Sequence, residues 1–192
     1  MAARSSSAPL ISQNTISNSS LFGIWDQSAF AYLAPAPVII HNTIANCPYG
    51  IETGSWGAPK SGVIIRSNTI SQDGFFGWLG IDQYNSDGYY IGQNRFIGEF
   101  CVGVGLFNSS NDVIVGNNVS QLITPVGCAS YFLDESSCGN TIRGDSGTVF
   151  VAGWCENYIT GVAQMAGAPA LGPVMSETQQ RILEGYRNLV AP

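Results

Sequence analysis

A pattern of hydrophobic and polar positions returns along the chain at intervals of 23 to 28 residues. Each copy has an isoleucine, two intervening residues, an asparagine, one more residue and a second apolar residue. The copies are Ile11/Asn14/Ile16, Ile39/Asn42/Ile44, Ile65/Asn68/Ile70, Ile91/Asn94/Phe96 and Ile114/Asn117/Val119. A degenerate sixth copy, Ile142/Asp145, has Gly147 in the last apolar position. Self-similarity at such a period is typical of a solenoid.

The spacing within each copy predicts two short strands that meet at a corner. The two apolar positions are five residues apart, which does not fit one continuous alternating strand. Asparagine suits the corner because it tolerates left-handed backbone and its amide bonds to backbone groups. In stacked coils each asparagine would also pair with those above and below, so that its buried amide is satisfied.

These asparagine-centred repeats resemble those of the right-handed parallel β-helix proteins, the pectate-lyase-like fold. The resemblance covers roughly residues 11–160 and implies an all-β, single-stranded right-handed parallel β-helix of about six coils. Familiar relatives act on polysaccharides, although the scaffold carries many unrelated activities. The polygalacturonase motifs Asn-Thr-Asp, Asp-Asp and Gly-His-Gly do not occur in this sequence. The resemblance therefore transfers no catalytic residue.

The repeat also sets the predicted boundaries. The chain divides into a polar segment at 1–10, the β-helix at 11–162, and a linker with a C-terminal helix at 163–192. The helix is predicted from a capping box that begins at Ser176 and from apolar residues at helical spacing after it. We expect this α-helix to cap the last coil. No obvious cap precedes Ile11, and three interpretations are open: residues 1–10 form the cap, the chain is a fragment of a longer β-helix, or the first coil presents strand edges through which a homo-oligomer forms.

A second recurring element predicts another strand in each coil. Its copies are Gly23-Ile24-Trp25-Asp26, Gly50-Ile51-Glu52-Thr53, Gly80-Ile81-Asp82-Gln83, Gly103-Val104-Gly105-Leu106 and the weaker Tyr131-Phe132-Leu133-Asp134. Because strand side chains alternate, the residue after each inward-facing residue points outward. We call residues at matching positions of successive coils a column. The predicted outward column is Trp25, Glu52, Asp82, Gly105 and Leu133.

Glu52 and Asp82 are the predicted catalytic pair. Neighbouring coils would place their Cα atoms about 4.8 Å apart, and carboxylates this close shift one another's pKa. They could work as an acid and a base, or hold Ca²⁺; the alternative is that they are solvated wall residues. Asp26 and Asp134 lie one position further along and would join the pair if a bend rotates the strand.

Aromatic residues predict a surface that binds saccharides. Flat rings on a solenoid wall offer stacking platforms for sugar rings, and the predicted substrate-binding residues are Trp25, Trp56, Trp78 and Tyr84. Several aromatic residues fall in the longer loops, and loops on a rigid scaffold commonly carry function.

Charge and hydropathy narrow the range of partners. The 192-residue chain has a formal net charge of −6 and a single lysine, Lys60. Nucleic acid is not a predicted partner, because phosphate binding needs a basic stripe. No membrane span is predicted, since no apolar run approaches the ~20 residues required. The N-terminus lacks the apolar segment of a secretory leader, so secretion would require that a leader has been removed.

The cysteines are interpreted as structural. Five cysteines leave at least one unpaired within the chain. Cys101, Cys128 and Cys155 are each 27 residues apart, close to one coil, and we predict a column of small buried residues in preference to a disulfide. The absence of a Cys-x-x-Cys pair and the single histidine predict no metal site of the cysteine–histidine type.

Three functional hypotheses follow from the sequence. The first is a carbohydrate-active protein that binds a polysaccharide or oligosaccharide and, if it is an enzyme, cleaves it as a lyase or hydrolase. The second is a non-catalytic solenoid for binding or assembly. The third keeps the β-helix but gives it a small-molecule substrate in a pocket between loops 54–61 and 72–79.

Overall fold

The computed structural model describes residues 8–27, 35–55, 58–74, 76–153 and 155–165. These residues form an all-β parallel solenoid of about five turns, with no helix among them. The predicted C-terminal capping helix lies outside the described residues.

Parallel strands of successive turns build three walls, named here faces A, B and C. Face A consists of β1 (Leu10–Ser12), β4 (Val38–Ile40), β8 (Ile64–Arg66), β12 (Tyr90–Gly92), β14 (Val113–Val115), β17 (Thr141–Arg143) and β19 (Tyr158–Thr160). Face B consists of β2 (Thr15–Ser17), β5 (Thr43–Ala45), β9 (Thr69–Ser71), the first part of β13 (Arg95–Phe107) and β15 (Asn118–Ile123). Face C consists of β3 (Phe22–Gln27), β6 (Tyr49–Gly54), β10 (Gly77–Tyr84), the second part of β13, β16 (Ala129–Leu133), β18 (Thr148–Val151) and β20 (Ala163–Gln164). A short pair, β7 (Lys60–Ser61) and β11 (Ser86–Asp87), follows face C in two of the turns.

Face B explains why there are about five turns where six were predicted. It has five strands among the described residues, one for each complete turn. After β17 the chain passes through residues 144–147 to face C without a face B strand. Gly147 occupies the position at which the other copies have an apolar residue for that strand to bury. The sixth copy is therefore an incomplete turn.

The apolar residues of the repeat fill the bore. From the second turn onward both positions are buried: Ile39, Ile44, Ile65, Ile70, Ile91, Phe96, Ile114 and Val119. Full burial of such a side chain contributes about 1.5–3 kcal/mol. Ile11 and Ile16 in the first turn are only partly buried, because among the described residues β1 and β2 have a partner strand on one side only.

The asparagines form the predicted ladder inside the corner between faces A and B. Asn42 Nδ2 donates to Asn68 Oδ1 at 3.0 Å, and the same contact links each asparagine to the next from Asn14 to Asn117. Each accepting amide oxygen also takes the backbone N–H of the preceding asparagine, at 2.9–3.0 Å. The ladder ends at Asp145, whose carboxylate accepts from the backbone and side chain of Asn117.

The left-handed residue at this corner is the one before the asparagine. Gln13, His41, Ser67 and Gln93 have φ of 55° to 58°, and glycines take the same place in the last copies. The prediction that asparagine itself adopts left-handed backbone is therefore wrong. The backbone conformation of each asparagine directs its side-chain amide into the bore, where the amide bonds to the neighbouring asparagines.

A second polar column lies where the chain enters face A. Asp112 N donates to Asn140 Oδ1 at 2.9 Å, and Asn140 N donates to Asn157 Oδ1 at 2.9 Å. Asp112 is completely buried. Its carboxylate accepts from Tyr89 N at 2.7 Å and from Ser86 Oγ at 2.8 Å.

Two disulfides correct the predicted column of unpaired cysteines. Cys101 pairs with Cys128, Cys138 pairs with Cys155, and Cys47 is free and buried. The Cα atoms of Cys101 and Cys128 are 4.8 Å apart, a separation that suits a disulfide as well as a stacked column. Cys155 leaves the column because the last coil is short: Asn140 and Asn157 are only 17 residues apart.

No helix of the described residues is long and apolar enough to cross a membrane.

Candidate functional site

The outer surface of face C brings Glu52 and Asp82 side by side. Glu52 on β6 is the register partner of Trp25 on β3 and of Asp82 on β10, so the neighbouring Cα atoms lie about 4.8 Å apart. The predicted juxtaposition is confirmed. Gly105 is the next residue of the column.

The column continues through Phe132, and the predicted outward position of Leu133 is wrong. Phe132 is the register partner of Gly105, whereas Leu133 pairs with Leu106. Both leucines are completely buried in the bore. The fifth copy lacks the glycine that marks the others, so its alignment was one residue out.

A glycine in each of the first four copies sets which side chains face outward. A Cβ at Gly80 would lie 2.5 Å from the Phe96 ring and 2.7 Å from the carbonyl oxygen of Gly103. Gly80 therefore faces the bore and packs closely against the Phe96 ring of face B. The next residue, Ile81, is also buried in the bore. Alternation then resumes with Asp82 on the outer surface.

Burial raises the pKa values of both members of the pair. Burial raises the pKa of Glu52 to about 7, and a hydrogen bond from the Trp25 side chain lowers it in part. Burial also raises the pKa of Asp82 well above its usual range, and the charge of Glu52 raises it further. The pair consequently retains a proton near neutral pH, which gives it both an acid and a base.

Asp26 does not join this pair. It is the register partner of Thr53, which in turn pairs with Gln83, and both of these are completely buried in the bore. Asp26 Oδ2 lies 2.5 Å from Lys60 Nζ. The Asp26 carboxylate is thus held in an ion pair on the inner side of the wall.

Asp134 is also apart from the pair, in the turn after β16. Its carboxylate accepts from Asn108 N at 3.1 Å, from Ser136 N at 3.1 Å and from Ser137 Oγ at 2.7 Å. These bonds hold the turn between faces C and A. Asp134 therefore stabilises this turn and does not lie near Glu52.

Aromatic side chains flank the acid pair. Trp25 is 44% exposed and stacks on Phe22 with ring centroids 5.6 Å apart. Tyr84 is 39% exposed, two residues beyond Asp82 on the same strand. Trp78 is half-buried near the start of that strand and meets Phe76 edge-on at 5.2 Å. Trp56 lies outside the described residues, as do residues 57 and 75 of the two predicted pocket loops.

The rings rest on an apolar layer that sequence reasoning did not identify as a unit. Tyr49, Leu79, Cys101 and Val102 are buried on the outer side of face C, with Phe22, Trp78, Phe107 and Phe132 packed against them. Phe107 contacts Phe132 at 5.4 Å. Aromatic rings therefore lie on both sides of the two carboxyl groups: Trp25 on the preceding coil, and Phe107 and Phe132 on the following coils. The signal for this layer was the apolar residue just before each glycine of the repeat.

Cationic side chains lie elsewhere in the described part of the chain. Arg66 and Arg143 are exposed on face A, Arg95 is exposed on face B, and Lys60 is buried. No group of three or more His, Cys, Asp or Glu residues that could hold a metal ion occurs among the described residues. The outer surface of face C is therefore acidic and aromatic.

Comparisons with protein-family models, with curated proteins and with solved structures find no match for this chain.

Proposed function

We propose that the protein is a carbohydrate-active solenoid that binds a polysaccharide or oligosaccharide on the outer surface of face C. The observation that carries this proposal is the Glu52–Asp82 pair beside the exposed ring of Trp25. Aromatic rings stack on sugar rings, and carboxyl groups bond to hydroxyls in either protonation state. The neighbouring rings of Tyr84 and Trp78 extend the platform along the strand.

Cleavage of a neutral glycosidic bond is the reaction that best suits the pair. A protonated carboxyl group can protonate the leaving oxygen, while an ionised one acts as nucleophile or base. The neighbouring strand positions of the two residues are compatible with the retaining arrangement, in which the carboxyl groups lie about 5–5.5 Å apart. A lyase acting on a polyuronate is less well supported, because the described cationic side chains all lie away from this surface.

We also propose that the solenoid is right-handed and of the pectate-lyase-like type. The internal asparagine ladder and the three walls support this classification. Parallel crossover connections are right-handed in nearly all known cases. The two disulfides further support maturation in an oxidising compartment, such as the route to the cell exterior.

A panel of soluble polysaccharides tests the proposed function. Binding is measured by retardation in gels that contain each polymer, and cleavage by new reducing ends and by unsaturated uronides, with Ca²⁺ or with chelator. We expect Trp25→Ala to abolish retardation, and Glu52→Gln or Asp82→Asn to lower any cleavage at least about 100-fold. Glu99→Gln, an exposed glutamate of β13, is the matched control.

The outcomes separate the parts of the proposal. A wild-type protein that binds no polymer would overturn it. Binding without product would overturn only the catalytic part and leave a binding module. Undiminished cleavage by the Glu52→Gln/Asp82→Asn double variant would remove the acid pair from the mechanism.

Assembly through the first coil is a second candidate function. Strands β1, β2 and β3 have a partner on one side only among the described residues, and Leu10 is 63% exposed. Unpaired strand edges of this kind favour association with another chain. A strictly monomeric protein in light scattering over a wide concentration range would contradict this candidate.

A further inference from the structure

A groove of about 340 Å³ lies where face B passes into face C. Its lining includes Asn18, Ser20, Asn46, Pro48, Gln72 and Phe76. The volume is in the range of small-molecule sites in proteins. None of these residues carries a charge, so the groove differs in chemistry from the acidic pair on the outer surface of face C.

The amides that line the groove are held in place by neighbouring groups. Asn18 and Asn46 both have left-handed backbone, with φ of 59° and 54°, and Asn46 Nδ2 donates to Asn18 Oδ1 at 3.4 Å. Asn46 Oδ1 also accepts from Asp73 N at 2.8 Å. Gln72 is buried, and its side-chain amide donates to the carbonyl oxygen of Cys47. The polar wall is therefore ordered before a ligand binds, which lowers the entropy lost on binding.

An aromatic ring completes the groove. Phe76 is 38% exposed and is held edge-on by Trp78 at 5.2 Å. A ring that lines the same groove as held amides and a serine hydroxyl matches the needs of a neutral pyranose, whose C–H face stacks on the ring. Its hydroxyls would bond to the amide and serine groups, which both donate and accept.

Strand β10, which carries part of the proposed saccharide surface, begins next to the groove. Trp78 N donates to the carbonyl oxygen of Pro48 at 2.8 Å, which fixes the start of β10 against the wall of the groove. From Trp78 to Asp82 the strand spans about 13 Å. A saccharide that lies along β10 can therefore reach both the groove and the acid pair.

We propose that this groove is a binding subsite for one uncharged sugar ring of a neutral oligosaccharide whose other rings lie on face C. The inference rests on the proposed function for the rings bound at Trp25 and Glu52, but the groove itself is a separate site. It adds affinity for longer chains and selects against uronates, because its uncharged wall offers a carboxylate no counter-charge.

Calorimetric titration with short and long cello-, xylo- and manno-oligosaccharides tests the subsite. We expect Phe76→Ala to weaken binding of the long oligosaccharides roughly tenfold and to leave disaccharide binding unchanged, while Phe76→Trp retains the wild-type affinity. Asn18→Gly removes one amide while keeping the left-handed backbone, so it tests the groove independently of the ring. Tyr158→Ala, which removes a ring that is 64% exposed on face A, is the control. Oligogalacturonates should not compete.

Failure of the inference is distinguishable from failure of the proposed function. If Trp25→Ala abolishes binding but Phe76→Ala and Asn18→Gly match wild type at every chain length, the subsite is refuted and the function on face C stands. If the wild-type protein binds none of these oligosaccharides, both proposals fail. If Phe76→Ala does not fold, Asn18→Gly alone decides: wild-type affinity for the long oligosaccharides overturns the subsite.

Discussion

Lys60 Nζ lies 2.5 Å from Asp26 Oδ2 inside the solenoid, and the two side chains differ in their access to water. Lys60 is 2% exposed, whereas Asp26 retains 25% exposure. The only lysine of the chain is thus an internal residue that neutralises a carboxylate of the first coil.

Removing either partner of this ion pair should have unequal effects. Asp26→Asn leaves a buried ammonium without a counter-charge, and we expect a loss of about 3–5 kcal/mol in the free energy of unfolding. Lys60→Met leaves a carboxylate that water can reach, so this variant should lose clearly less free energy of unfolding. Urea denaturation measures both. A larger loss for Lys60→Met would contradict the assigned burial.

The interior of the asparagine ladder should be more sensitive than its end. Asn68 Oδ1 accepts from both the backbone and the side chain of Asn42. Asn68→Ala leaves the buried backbone N–H of Asn42 without an acceptor, while Asn42 Nδ2 keeps the carbonyl oxygens of Ile11 and Ile40. The unpaired N–H should cost about 1–3 kcal/mol, and the two bonds that Asn68 Nδ2 donates are lost as well. Asn14→Ala, at the exposed end, removes donors only and should lower the free energy of unfolding by about 1 kcal/mol. Equal losses in the free energy of unfolding for the two variants, measured by chemical denaturation, would contradict this prediction.

Stability should fall as the pH rises, because buried carboxyl groups have raised pKa values. Burial raises the pKa of Asp112 from 3.8 to about 6, so the folded state holds this proton more tightly than the unfolded state. The corresponding stability is present below about pH 4 and is lost as the pH rises through about 6, by roughly 3 kcal/mol in total. Glu52, with a pKa of about 7, contributes in the same direction.

Asp112→Asn isolates this contribution. The variant retains an acceptor for Tyr89 N and cannot ionise, so its free energy of unfolding should change less between about pH 4 and 7 than that of the wild type. Denaturation midpoints across this pH range provide the measurement. Parallel pH profiles for the two proteins would rule out Asp112 as a source of the dependence.

The cysteine pairing predicts a definite thiol count. The folded protein should show no reactive thiol, since Cys47 is 1% exposed, and the denatured, unreduced protein should show one. Cys101→Ala/Cys128→Ala removes the link between coils 27 residues apart and should lower the free energy of unfolding by about 3–4 kcal/mol. More than one thiol in denaturant would mean that a disulfide is absent.

The repeat made the architecture and the Glu52–Asp82 juxtaposition predictable, because a fixed period specifies which residues share a column. Details inside a coil were not predictable in the same way. The glycine of face C allows two successive residues to face the bore, which no alternation rule anticipates, and the weak fifth copy hid the outward position of Phe132. The Cys101–Cys128 disulfide was missed because cysteines one coil apart have similar Cα separations whether they are stacked or bonded.

The placement of Asp26 and Asp134 depended on partners distant in the sequence. Lys60 is 34 residues from Asp26, and the groups that bind Asp134 include Asn108 from the preceding coil. A sequence pattern orders residues along one column, but it does not indicate which polar side chains from other columns meet them. The acid pair could therefore be predicted and its expected neighbours could not.

The bonds between side chains of the ladder all run in one direction, from Asn14 towards Asp145. From Asn42 onward each amide also donates to a backbone carbonyl of the preceding coil. A carboxyl group has no amide N–H, so the amide-to-amide series ends at Asp145. At the other end, the oxygen of an asparagine amide can accept a donor from one more coil. The ladder is accordingly directional: it can be lengthened at its first coil, whereas the strands that follow Asp145 stack by backbone pairing, β17 with β19 and β18 with β20, without a further rung of this ladder.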